Sequence, residues 1–231
     1  MVFKNHYTGA PVCAPARSVL MTGMHTGNTH IRANGEWSER GDVWSFRAML
    51  DNPELEGQRP LLDSIITVAN VLQNNGYKTG MVGKWGLGAP MTNSVPNKKG
   101  FDFFYGYNCQ RQAHTLYPTH LWKNDKRHFL NNSIVTKQEG LDNKDPYQDE
   151  SYKKFNQIDY APTLMHSEAI RQNLLKTTVL IHFSYIMLPH FPTYLYKHQK
   201  NGFDITIKSL EVRSLTPVSY THLTLPTNCV V

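Results

Sequence analysis

The sequence predicts an α/β fold, a sheet flanked by helices, and three stretches of the chain carry that prediction. Residues 61–82 switch from a helical to a strand period, as a layer of helix on sheet demands. Residues 160–176 place apolar side chains at helical spacing and lead into a continuous apolar run over 179–186, the pattern of a buried strand. In Cys13-Ala14-Pro15 the proline suits the first turn of a helix and favours an extended residue before it, so Cys13 is expected at a strand-to-helix corner. The chain has 231 residues, 40% hydrophobic and 11% aromatic, enough for one good-sized core or two small ones and too apolar for a disordered chain.

Taken in order, residues 2–7 read as a short extended lead-in to the Cys13 corner. A helix starting there presents backbone N–H groups, and with Arg17 close behind the thiol the pocket favours an oxyanion such as sulfate or phosphate. From the residues alone, Cys13 is either part of such a site or a buried structural cysteine beside a surface arginine. Residues 24–60 have the composition of an irregular segment over an active-site face, in which His25 and His30 either contact substrate or are simply solvated.

Residues 65–72 form an apolar helical face through Ile65, Ile66, Val68, Ala69, Val71 and Leu72. Asp63 or Ser64 is the expected cap, and Asn74-Asn75-Gly76 the stop. The strand that follows, residues 77–82, delivers Gly83-Lys84-Trp85-Gly86-Leu87-Gly88 to its carboxyl end, where open α/β sheets bind ligands, so Lys84 is a candidate anion contact. The aromatic residues of 100–107 are expected to pack. Residues 110–125, with Arg111, His114, Tyr117, His120 and Trp122, have the mixture that suits a sugar ring, and 131–157 read as an exposed insertion or linker. The helix over 160–176 should bury Leu164, Ala169, Ile170 and Leu174. The strand over 179–186 ends at Pro189-His190-Phe191-Pro192.

Twenty-four Lys and Arg against 18 Asp and Glu give a net charge of +6, which suits an anionic substrate. The basic residues are scattered and no nucleic-acid motif occurs, so no nucleic-acid partner is expected. The three cysteines, Cys13, Cys109 and Cys229, make neither a disulfide framework nor a metal-ligand spacing. The sequence lacks an apolar run of membrane-spanning length, and its first residues lack a signal-peptide core.

The stretch Cys13-Ala14-Pro15-Ala16-Arg17-Ser18-Val19-Leu20-Met21-Thr22-Gly23 resembles the modification motif of the type I sulfatases, cysteine-x-proline-x-arginine followed by leucine-x-threonine-glycine, with Ala16 where the family often has serine. Residues 76–88 resemble the second motif of that family, ending in glycine-lysine-tryptophan-histidine-leucine-glycine, with Gly86 in place of the histidine. Pro189-His190-Phe191-Pro192 resembles its proline-histidine-x-proline turn. The resemblance implies an alkaline-phosphatase-like mixed sheet, incomplete in this chain, and cleavage of sulfate esters of glycans or aryl alcohols. It makes Cys13 the residue that a maturation enzyme oxidises to Cα-formylglycine, with Arg17 supporting the aldehyde hydrate and Lys84 holding sulfate. His190 would contact sulfate and protonate the leaving alkoxide, and His114 would substitute for the missing imidazole at Gly86. It also implies a bound Ca2+ whose acidic ligands lie mostly outside this chain, and a periplasmic or extracellular location.

The likeness covers residues 2–192, read as the N-terminal part of a catalytic domain (1–192). Residues 193–231 are unassigned, with 216–231 resembling an artefactual tail. A polypeptide of that extent is expected to be inactive and marginally folded. The rivals are a phosphonate or phosphodiester hydrolase of the same superfamily and a non-catalytic anion-binding remnant; a cysteine phosphatase is disfavoured by the spacing from Cys13 to Arg17.

Overall fold

A computed structural model describes residues 7–135, 140, 145–175 and 179–183. Helix α1 (Cys13–Thr22) begins directly after the extended Val12, with Pro15 in its first turn, and ends at Gly23, whose N–H bonds the Val19 carbonyl. The first helical amides are partly satisfied from outside the helix: the Ala14 N–H donates to Asn34 Oδ1 at 2.8 Å. Helix α2 (Phe46–Asp51) lies in the stretch expected to be irregular. The Ser45 side chain caps it by accepting from the Ala48 N–H, a signal too short to register as a period.

Helix α3 (Val68–Asn74) starts later than the apolar spacing suggests, and its cap is neither Asp63 nor Ser64. Thr67 and Asn70 form a reciprocal capping box. The preceding residues are held out of the helix because the ammonium of Lys99, only 3% exposed, donates to the carbonyls of Leu62 and Ile65 at 3.1 Å each and of Asp63 at 3.4 Å. The expected apolar face is correspondingly only part buried: Ala69 is in the core and Ile65 and Leu72 pack against it, whereas Ile66, Val68 and Val71 are exposed.

Strands β1 (Thr79–Lys84), β2 (Phe103–Tyr107), β3 (His120–Lys123), β4 (Lys126–Phe129) and β5 (Val179–Phe183) form one mixed sheet in the order β4-β3-β2-β1-β5. β1 lies between β2 and β5 and is parallel to both, and β3 and β4 continue as an antiparallel hairpin. The pairing brings Gly83 opposite Gly106. A β-carbon on Gly106 would lie 1.7 Å from the Gly83 carbonyl oxygen, so the two strands approach as glycine alone permits.

The period of two divides the side chains of this sheet between two cores. Met81, Phe104 and Trp122 enter one cluster with Ala14 and Met21 of α1 and Ala69 of α3. Val82, Tyr105, Tyr107 and Leu121 enter the other with Ala161, Met165 and Ala169 of helix α4 (Ala161–Leu175). Both faces are thereby covered by helices, which is why β1 is buried at every position. The α4 face differs from the expected one at Ile170, which is exposed, and the side chain of Leu174 lies outside the described residues.

The stretch 110–125 departs from a sugar platform. His120 and Trp122 point into the protein, where both bond the fully buried carboxylate of Glu56: Trp122 Nε1 donates to Oε1 at 2.6 Å, and His120 Nε2 lies 2.9 Å from Oε2. Arg127 Nη2 reaches the same Oε2 at 3.1 Å. Arg111 donates to the carbonyls of Val43 and Trp44. These side chains tie the hairpin and the loop after β2 to the segment before α3. Nor is 131–157 wholly exposed, since the 3-10 turn Asp149–Phe155 buries Ser151, Tyr152 and Phe155. Among the described residues no helix is long and apolar enough to cross a membrane.

Candidate active site

The site forms where the carboxyl end of β1 meets the first turn of α1. Lys84 is the last residue of β1, and Cys13 is the first of α1. Both are 2% exposed, and Lys84 Nζ lies 3.6 Å from Cys13 Sγ. Arg17, one turn into α1 and 5% exposed, donates through Nη1 to the carbonyl oxygen of Lys84. One residue thus receives the guanidinium at its backbone and gives its ammonium to the thiol.

The electrostatics follow from this packing. Burial, aided by the neighbouring guanidinium of Arg17 and opposed by the Cys13 sulfur, pulls the Lys84 ammonium down to about 8. Two cationic side chains in a buried pocket at a helix start form an environment in which an anion is stabilised far more than in water. The other buried thiol among the described residues, Cys109, is different: burial and the carboxylates of Glu36 and Glu56 push it up to about 11, so it stays protonated and inert.

The remaining sequence candidates divide. His25 and His30 are exposed, and His25 Nδ1 accepts from the Gly27 N–H within its own turn. His114 is half-buried in the 3-10 turn Gln112–His114. The side chain packed against Gly86 is that of Gln110, whose Cβ would be 3.1 Å from a β-carbon built on Gly86, so Gln110 borders the space beside that glycine. No signal in the sequence singled out Gln110, because its place depends on how the loop after β2 folds back. His190 lies outside the described residues. Among the described residues no three His, Cys, Asp or Glu side chains converge as a metal site, so they do not supply a ligand set for calcium.

A family model described as Sulfatase matches residues 1–163. The chain belongs to the sulfatase family. Its curated relatives include human arylsulfatase D, 32% identical over 106 residues that make up 44% of this chain and 16% of that protein. Mouse steryl-sulfatase is 32% identical over 123 residues, 48% of this chain and 18% of that one. Dog arylsulfatase G is 36% identical over 109 residues, 46% of this chain and 16% of that one. This sulfatase chain therefore matches less than a fifth of the length of each of these relatives.

Among solved structures, the crystal structure of Ps i-CgsB superposes with a TM-score of 0.50 at 20% identity, over 85% of this chain and 40% of that one. A Bacteroides thetaiotaomicron chain described with the metabolism of multiple glycosaminoglycans gives 0.50 at 14% identity, over 80% and 44%. At such identities the likeness is one of fold. The α/β arrangement of a mixed sheet between helices is that of the alkaline-phosphatase-like sulfatases.

Proposed function

We propose that this sulfatase acts by sulfate-ester hydrolysis at Cys13, with the cysteine first oxidised to Cα-formylglycine by a maturation enzyme. The observation that carries the reading is the buried contact of Lys84 Nζ with Cys13 Sγ at 3.6 Å, with Arg17 bonded to the same lysine. A bare thiol or a serine would be trapped as its sulfated ester. The hydrated aldehyde carries two hydroxyls on one carbon: one attacks sulfur and expels the alcohol, and the other then loses its proton, re-forms the carbonyl and releases sulfate.

In this reading Lys84 is the point charge on the sulfate oxygens, and Arg17 fixes Lys84 and supports the hydrate. His190 is the proposed proton donor to the departing alkoxide, and His114 a substrate contact further along the loop after β2. The substrate is a sulfated glycan or aryl ester. A periplasmic or extracellular setting fits such a substrate. No step is assigned to calcium, since among the described residues no three His, Cys, Asp or Glu side chains converge.

The modification has a direct test. Trypsin is expected to release residues 5–17 as one peptide, and expression in a host that matures sulfatases should give that peptide the mass of the aldehyde. A peptide carrying only the intact thiol would overturn the reading.

A further inference from the structure

Gly86 follows Lys84 closely and adopts a left-handed conformation, φ +71°. The space beside its Cα is filled. A β-carbon there would lie 3.1 Å from Gln110 Cβ and 3.2 Å from Gln110 Oε1. Gln110 arrives on the loop that leaves β2, drawn alongside by the Gly86 N–H, which donates to the Asn108 carbonyl at 3.1 Å.

Its backbone is fixed from below. The Gln110 N–H donates to Gln58 Oε1 at 3.1 Å, and Gln58 Nε2 donates to Glu36 Oε1 at 3.0 Å. Its side-chain oxygen is not held in this way: the residue is 5% exposed, and among the described residues the buried Oε1 has no hydrogen-bond partner. Leaving a buried amide oxygen unpaired costs free energy, and folded chains seldom retain such a group without a use for it. Rotation of the last torsion exchanges its oxygen and nitrogen, so the same amide can present a donor.

We propose that Gln110 is a binding residue for the tetrahedral anion held at Cys13 and Lys84, donating its amide N–H to one anion oxygen from the space that a side chain at Gly86 would take. The inference rests on the Cys13 and Lys84 reading given above. A neutral amide suits the position because it adds a donor without adding a third positive charge beside Lys84 and Arg17. The glycine at 86 and the glutamine at 110 are thus one device, each needing the other.

The test is a titration of the full 231-residue chain with inorganic sulfate against chloride at equal ionic strength, with thermal unfolding recorded in the absence of sulfate. Gln110→Met, which keeps the volume and removes the amide, is expected to weaken sulfate binding about tenfold, the loss of one hydrogen bond to a charged group, without lowering the unfolding midpoint. Sulfate affinity equal to the parent's in Gln110→Met would make Gln110 a packing residue and overturn the proposal.

Lys84→Met separates the two levels. It is expected to abolish sulfate binding, and if it binds like the parent the underlying site reading falls together with this one. Should Gln110→Met fail to fold, Gln110→Asn carries the test, since the shortened amide should fall short of the anion. A folded Gln110→Asn with weakened binding supports the proposal, and one with undiminished binding overturns it.

Discussion

Lys84 holds a charge in a place that opposes it. With its ammonium at about 8 in the folded chain and near 10.5 when unfolded, the lysine is protonated in both states below pH 8, and there its burial costs stability in full. Between pH 8 and 10.5 the unfolded chain binds the extra proton, so stability attributable to this residue rises with pH across that window. The displacement corresponds to about 3 kcal/mol at neutral pH. For the unmodified thiol form, Lys84→Met is therefore expected to raise the urea midpoint at pH 7 and to leave it nearly unchanged above pH 10.5. A lowered midpoint at pH 7 would contradict this account. Sulfate affinity of the parent chain should move the opposite way, falling as pH rises through 8 and the ammonium is lost, which a titration at pH 7 and pH 9 would show. A residue whose removal stabilises the fold and destroys binding is what a site, as opposed to a core, requires.

At the level of the elements, two contacts decide whether the sheet reaches the site in register. Gly106 faces Gly83 on the strand that ends in Lys84, and both partners of the close contact are backbone, so no rotamer change can relieve it. Gly106→Ala is expected to cost about 3 kcal/mol or more, through overpacking that only strand separation can relax. Far-UV circular dichroism during urea unfolding would measure it, and an unchanged midpoint would refute the register.

The second contact is the carboxylate of Glu56, which gathers Trp122, His120 and Arg127 from the β3–β4 hairpin while its own side chain is fully buried. Glu56→Ala strands those donors in the interior. It should destabilise the chain by about 3–5 kcal/mol, with the loss of hydrogen-exchange protection concentrated in His120–Lys123 and Lys126–Phe129. Uniform loss of protection, or none, would show that the hairpin is anchored elsewhere.

Over the whole molecule, the sequence determined the parts whose information is local. The proline beside Cys13 and the apolar run after it set the start of α1, and the change of period after residue 76 announced β1, whereas 100–107 read only as packing aromatics and not as the strand β2. That Cys13 opens a helix and Lys84 closes a strand was legible for the same reason. Tertiary structure decided everything that depends on partners distant in the chain. Lys99 takes the carbonyls before α3 and delays that helix to Val68; Glu56 turns His120 and Trp122 inward from what reads as a sugar-binding surface; and Gln110 comes to lie against Gly86. A buried charge takes whichever donors or acceptors the fold brings within reach, and a glycine records only that a side chain is missing. What fills the space is set by packing, which no local spacing encodes.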